Sequence, residues 1–252
     1  MSSKLIDKLK HKPFVRALVY ALVGSISYPG LNIFNRLRIE GTENIESLPK
    51  QNVLFVSNHQ TYFAEVISFL HIFCAVKWKR KNRLGFPWYL LSPYTRVYFV
   101  SAAETMQASW LTRLFELAGS LTVRRTWNAD STIQRKGLDP SDTRKIERAL
   151  KTSWVINFPQ GTTKPFAPGR KGTALLIRQT NPIVIPIRID GFNTAFDKKG
   201  LRMKKWRTSL SVKFGAPLRF TSEQSNEEIL EEIMLAIGQS KTQAPNPGAG
   251  YP

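Results

Sequence analysis

Three histidines could move a proton in this chain, and their surroundings separate them. His11 sits in a basic N-terminal arm and His71 in an apolar stretch, which suit solvation and packing. His59 follows the apolar run Val53-Leu54-Phe55-Val56 within Ser57-Asn58-His59-Gln60-Thr61-Tyr62. An imidazole just past the carboxyl end of a buried strand lies where α/β proteins open their ligand crevice, and its ordinary pKa lets it accept and return a proton near neutral pH. A second stretch, Asn157-Phe158-Pro159-Gln160-Gly161-Thr162-Thr163-Lys164, also follows an apolar run. Backbone N–H groups near Gly161, the Thr162 and Thr163 hydroxyls and the Lys164 ammonium would together favour an anion such as phosphate. Read singly, each stretch has a plainer alternative, a packed histidine in one case and an ordinary tight turn in the other. The single cysteine, Cys74, cannot close an internal disulfide, and its apolar setting from Phe69 to Val76 suits buried packing.

The elements that would hold these residues alternate in type. Strand patterns fall at Leu37–Gly41, Val53–Val56, Val97–Val100, Leu121–Val123, Trp154–Phe158, Ile183–Ile187 and Leu210–Phe214. Between them lie helical patterns through Val66 to Phe73, from Met106 to Ala118, around Ile146 to Leu150 behind a capping Ser141 or Asp142, and from Gly172 to Gln179. A last helix carries Ile229, Ile233 and Ile237 on one stripe. The alternation predicts an α/β fold occupying residues 37–237. The tail, 238–252, is rich in Pro, Gly, Gln and Ser, a composition expected to be disordered.

Charge and the N-terminus define the partner class. With 37 Lys+Arg against 18 Asp+Glu the chain carries +19, so its partner should be anionic, whether a membrane, a phosphorylated substrate or a nucleic acid. Nucleic acid is not expected, because no nucleic-acid-binding motif accompanies the charge. Residues 1–36 combine Lys4, Lys8, Lys10, Lys12 and Arg16 with an apolar run from Ala17 that continues past Pro29 to Phe34. The outline resembles a secretory signal but shows no clear cleavage site. Two short helices broken near Tyr28-Pro29-Gly30 would lie in one leaflet of an anionic bilayer, with the basic flank on the cytoplasmic face of the cell membrane. The alternative is a helix packed on the protein's own core. Trp78, Trp88 and Tyr89 around Lys77-Trp78-Lys79-Arg80-Lys81-Asn82-Arg83 also suit a headgroup interface.

Asn58-His59 after one strand and Phe158-Pro159-Gln160-Gly161-Thr162 after another together resemble the glycerolipid acyltransferase family, of the 1-acylglycerol-3-phosphate type. Gly119-Ser120-Leu121-Thr122-Val123-Arg124 is similar to its second block, Val184-Ile185-Pro186-Ile187 to its fourth, and Phe166–Gly172 to the segment after the third. Order and spacing agree from about Leu37 to Leu218. The resemblance implies a mixed central sheet flanked by helices, that His59 is a general base, that an acidic partner orients it, and that Arg124 with the turn residues Gln160, Gly161, Thr162, Thr163 and Lys164 binds the acceptor. It implies transfer of an acyl group from acyl-CoA or acyl carrier protein to a lysophospholipid hydroxyl, with no cofactor beyond that donor and no metal. Two positions depart from the pattern. The family's aspartate would fall at Ala64, with Glu65 next, so Glu65 is either the orienting carboxylate or only a first-turn helix carboxylate. Gln160 stands where the family has glutamate, with Thr163 and Lys164 where it commonly has arginine. These substitutions leave open another lysolipid acceptor, such as a lyso-amino-acid lipid, or a catalytically silent lipid-binding protein.

Overall fold

The computed structural model describes residue 9 and residues 12–103, 110–123 and 140–244. Within them the chain forms α1 (Pro13–Tyr28), β1 (Arg36–Glu40), β2 (Val53–Ser57), α2 (Ala64–Lys77), β3 (Val97–Ala102), α3 (Trp110–Leu117), β4 (Ser120–Val123), α4 (Pro140–Leu150), β5 (Trp154–Asn157), α5 (Lys171–Thr180), β6 (Ile183–Asp190), β7 (Ser209–Phe214) and α6 (Asn226–Ala236). The strands make one seven-stranded sheet in the order β1-β7-β6-β2-β5-β3-β4. β6, β2, β5, β3 and β4 run parallel, β7 is antiparallel to β6, and β1 is parallel to β7. The α/β fold expected from the alternation and the mixed sheet implied by the resemblance are therefore present.

Burial explains which strands lie where. β2 is buried at all five positions, as a parallel strand covered on both faces must be. β7, one strand in from the edge, alternates exposed or partly exposed residues with buried Leu210, Val212 and Phe214. Period-two geometry splits the sheet's apolar side chains into two cores. Val53, Phe55, Ile156, Ile185 and Val212 face α2, while Leu54, Val56, Val155 and Val184 face α4, α5 and α6. α2 is buried from Ala64 to Val76, so a further layer must cover it, and α1 does so.

The N-terminal segment differs from the expected pair of short helices. α1 does not break at Pro29 but runs on as one π-helical turn, Pro29–Ile33, closed by the Phe34 N–H donating to the Pro29 carbonyl at 2.8 Å. The wider turn accommodates a residue that has no N–H and whose ring crowds the preceding carbonyls. By length and composition Pro13–Ile33 suffices to cross a bilayer, and 28% of its apolar 18-residue window is buried within the protein. One stripe, Val19, Tyr20 and Gly24, packs inward, and Phe14, Leu18, Leu22 and Ile26 are exposed. Arg16 belongs to the inner stripe rather than to the basic arm. It is 4% exposed, its guanidinium lies 4.4 Å from the Tyr98 ring centroid, and it donates to the Val97 carbonyl.

The C-terminal segment also departs from expectation. Gly238, at φ +71°, turns the chain out of α6, and Ser240 and Gln243 cap a short 3-10 turn, Lys241–Gln243. Side chains that bond their own backbone can order a polar, glycine-containing stretch whose composition alone suggests disorder. Residues 245–252 of the tail lie outside the described residues.

Candidate active site

The residues flanking His59 are fastened to the end of β6. Asn58 donates its amide N–H to the Ile189 carbonyl at 2.9 Å and accepts from the Ile189 N–H at 2.8 Å. The Gln60 side chain donates to Asp190 Oδ1 at 3.2 Å and accepts from the Phe192 N–H at 2.9 Å. Held on both sides, His59 turns toward β5 and stacks on Phe158, with ring centroids 4.1 Å apart at 25°. The two constellations, about a hundred residues apart in sequence, thus meet because β2 and β5 are parallel neighbours whose carboxyl ends share one edge.

Glu65 sits in the first turn of α2 and is fully buried. Its Oε1 lies 2.8 Å from His59 Nδ1 and accepts from the Gln60 N–H at 2.8 Å and the Thr61 N–H at 2.9 Å, and the Thr61 hydroxyl bonds Oε2. Burial alone would raise this carboxyl's pKa. The His59 charge and the hydrogen bonds from His59 and Thr61 outweigh it and hold the group below the usual carboxylate range. An ionised carboxylate at Nδ1 fixes the proton on that nitrogen and leaves the Nε2 lone pair for chemistry.

The acid stands at position 65 rather than 64, at the start of a helix packed closely against a second loop. Gly200, at φ +75°, brings its backbone over the start of α2, where an added Cβ would lie 2.5 Å from the Ala64 N and 2.9 Å from the Ala64 Cβ. The Lys198 and Lys199 carbonyls accept from the Tyr62 and Phe63 N–H groups at 3.1 Å, pinning that segment in place. The carboxylate comes from the next residue, Glu65, on a side chain longer by one methylene than an aspartate.

The turn after β5 is built on Gly161. Its φ is +61°, its N–H donates to the Phe158 carbonyl at 2.9 Å, and the Arg170 guanidinium occupies the space a Cβ would need, within 2.8 Å. Arg170 Nε donates to the Gln160 carbonyl at 3.2 Å, and the Arg170 N–H to the Pro159 carbonyl at 2.9 Å. Thr162 Oγ accepts from the Lys164 N–H at 3.3 Å, Thr163 is half-buried and Lys164 exposed. Gln160 differs from the expected role. It is 3% exposed and its amide N–H donates to the Ala167 carbonyl at 3.0 Å and to Gln239 Oε1 at 3.2 Å, so it organises the turn from inside. Arg124 lies outside the described residues; the preceding Val123 ends β4, a strand parallel to β3 in the same sheet.

Three contributors were not apparent from sequence. Phe158 was visible only as a motif letter, and its stacking on His59 needs the strand register. Arg170 lies in the segment after the turn. Gln239, in the part of the tail expected to be disordered, accepts from the Phe166 N–H at 2.8 Å as well as from Gln160. Among the described residues no group of three or more His, Cys, Asp or Glu could hold a metal ion. Cys74 is no competing nucleophile, since burial pushes its thiol up to about 12. His71 is likewise structural, as burial lowers its pKa to about 4 and it bridges Ser27 and Tyr89 at 2.9 Å each.

A buried carboxylate holding a histidine at the carboxyl edge of a mixed sheet, beside a glycine turn carrying hydroxyls and a cation, is an arrangement suited to acid–base chemistry. Residues 36–190, more than half of the chain, match the family described as Acyltransferase, and the chain belongs to it. The fold is similar to the crystal structure of the 1-acyl-sn-glycerophosphate (LPA) acyltransferase PlsC from Thermotoga maritima, with a TM-score of 0.50 at 17% identity, covering 88% of this chain and 76% of that one. A comparison with curated protein sequences gives no match. The protein is an acyltransferase.

Proposed function

We propose that this acyltransferase moves a fatty acyl group from a thioester, acyl-CoA or acyl carrier protein, to the free hydroxyl of a lysophospholipid, with 1-acylglycerol-3-phosphate as acceptor and phosphatidic acid as product. The observation that carries the reading is the 2.8 Å contact between His59 Nδ1 and the buried Glu65 carboxylate. His59 Nε2 takes the proton from the acceptor hydroxyl as its oxygen attacks the thioester carbonyl, and Glu65 stabilises the imidazolium that forms. The tetrahedral intermediate collapses with loss of the thiolate, which recovers that proton as thiol, so no acyl-enzyme is required. Thr162, Thr163, Lys164 and Arg124 hold the acceptor's phosphate, supplying proximity at the moment of attack.

The acceptor comes from an anionic membrane, on whose cytoplasmic face the protein rests. α1 lies along the domain with its inner stripe against α2, so it enters one leaflet by its exposed stripe rather than departing across the bilayer. A second reading, acylation of another lysolipid such as a lyso-amino-acid lipid, draws on Gln160, whose side chain bonds Ala167 and Gln239 where the family's glutamate would stand. Purified protein incubated with labelled acyl-CoA or acyl carrier protein and a panel of lysolipids tests both. Phosphatidic acid should be the main product and His59→Ala should make none. Preference for a different lysolipid supports the second reading, and no transfer to any of them by intact protein refutes both.

A further inference from the structure

Large apolar side chains left in contact with water are not scattered over this molecule. Among the described residues, all of them except Leu175 and Leu235 lie on α1, on its π-helical end, or in the two loops spanning 78–91 and 201–206. Both loops touch α1. The first does so through Leu90, which packs on Gly24, and through the Gly85 carbonyl, which accepts from the Tyr28 hydroxyl at 2.7 Å. The second is joined to the end of α1, where the Phe34 carbonyl accepts from the Arg207 N–H at 2.7 Å and the Phe34 and Trp206 rings stand 4.9 Å apart.

The two loops share one chemistry despite unrelated sequences. Lys77-Trp78-Lys79-Arg80-Lys81-Asn82-Arg83 leads into Phe86 and Trp88, which are 62% and 55% exposed with rings 4.9 Å apart. Arg202-Met203-Lys204-Lys205-Trp206-Arg207 presents Trp206 at 61% exposure. Neither loop contains an acidic residue. Indoles set among lysines and arginines fit the boundary between acyl chains and phosphate headgroups, because the ring tolerates one apolar and one wet side while the cations meet anionic lipid. Protein–protein interface cores are depleted in lysine, which abounds here. Position agrees with charge: the second loop continues from Lys198 and Lys199, whose carbonyls hold the residues just past His59.

We infer that the Trp88 and Trp206 loops are two further bilayer anchors flanking α1, so that the protein sits on anionic phospholipid by a three-part face that borders the His59 crevice. The inference rests on the surface association proposed for α1, and not on the identity of the acceptor. A face of this kind fixes tilt as well as attachment: one helix alone can roll about its axis, while anchors at its side and at its end hold the crevice toward the lipid.

The test uses the full chain and vesicles of phosphatidylcholine and phosphatidylglycerol at physiological salt. Trp88→Ala and Trp206→Ala should each lower vesicle partitioning roughly fivefold to tenfold and the double variant more, in line with removing one large buried side chain apiece. Bilayers carrying brominated acyl chains should quench tryptophan emission of the intact protein, and Trp88→Phe with Trp206→Phe should remove most of that quenching while keeping ring burial. The thermal midpoint of each variant, measured without lipid, reports folding separately. Leu18→Gln with Leu22→Gln probes α1 itself. If that variant is released while the double Trp→Ala variant binds as the intact protein does, the two anchors are refuted and the α1 reading stands; if neither is released, both fall. Sedimentation velocity covers the remaining occupant: a dimer dissolved by the Trp→Ala substitutions with unchanged vesicle partitioning would assign these loops to a second copy of the chain and overturn the proposal.

Discussion

At the scale of single residues the proposed chemistry depends on a buried carboxylate that would do two jobs. Glu65 orients His59, and it also receives the Gln60 and Thr61 N–H groups, so it holds the loop as well as the base. His59→Ala should lower kcat by roughly a hundredfold to ten-thousandfold with the fold intact, since the ring is stacked at the surface of the core and not within it. Glu65→Gln should lower kcat roughly tenfold to a thousandfold, and it should also destabilise by about 1–3 kcal/mol because an amide NH₂ would face donors that the carboxylate now accepts. Measuring kcat well below the thermal midpoint separates the two losses. A Glu65→Gln enzyme with unchanged kcat would show that another group orients the base. Moving the acid back to the family position, with Ala64→Asp and Glu65→Ala, should not restore activity, because a side chain one residue earlier on α2 leaves the helix in a different direction and is one methylene shorter than the Glu65 that reaches His59 Nδ1.

Gln239 offers a residue-scale test from outside the motifs. Its Oε1 accepts from both Gln160 and the Phe166 N–H, so it ties the end of α6 to the acceptor turn. Gln239→Ala should raise the acceptor KM several-fold through a loosened turn while kcat changes less, and Gln239→Glu, which keeps the acceptor oxygen, should recover most of the affinity. Equal KM values for all three enzymes would limit the contact to packing.

At the scale of elements, the helix pair α1–α2 contains a pH-sensitive joint. His71 lies on α2, bonded to Ser27 of α1 and to Tyr89 of the 3-10 turn Pro87–Leu91, and burial depresses its pKa from 6.5 to about 4. Between those values the unfolded chain binds a proton that the folded protein refuses, so stability falls as pH drops from about 6.5 toward 4, by roughly 3 kcal/mol in all. Glu65, held below the ordinary carboxylate range, loses its contribution only at lower pH. Chemical denaturation at pH 7.5, 6 and 5 should show that loss in the intact protein and much less of it in His71→Gln. Parallel slopes in the two would mean that another group titrates.

The seven strands were legible because each is a short apolar or alternating run bounded by turn residues, and parallel strands buried on both faces write their burial directly into sequence. The motifs carried the His59 site for the same reason, since both lie immediately after such runs. Pro29 was misleading: a proline in an apolar run signals a break, and only the carbonyls around it reveal a π turn that absorbs the ring. The Glu65 partnership stayed undecided in sequence because the loop 58–64 is pinned by the Lys198 and Lys199 carbonyls, more than a hundred residues on. Gln239 was invisible, as a glutamine in a polar tail looks the same whether it meets water or a buried amide.

At the scale of the whole molecule, the proposed attachment to a membrane would combine two forces with different reach, and they can be separated. A net charge of +19 attracts anionic bilayers over roughly the Debye length, about 8 Å at physiological salt, and this attraction weakens as salt rises. Burial of the exposed α1 stripe, Phe14, Leu18, Leu22 and Ile26, acts only on contact and is indifferent to salt. Deleting α1 would confuse the two, because its inner stripe, Val19, Tyr20 and Leu31, belongs to the core and its loss would expose α2. Leu18→Gln with Leu22→Gln changes only outward side chains. That variant should still associate with vesicles of high phosphatidylglycerol content at low salt and should come off at about 0.15 M salt, where the intact protein stays bound. On phosphatidylcholine alone the intact protein should bind weakly and with little salt dependence, since only the apolar term remains. If the variant and the intact protein lose vesicles at the same salt concentration, the outward stripe of α1 contributes nothing to attachment and meets something other than lipid.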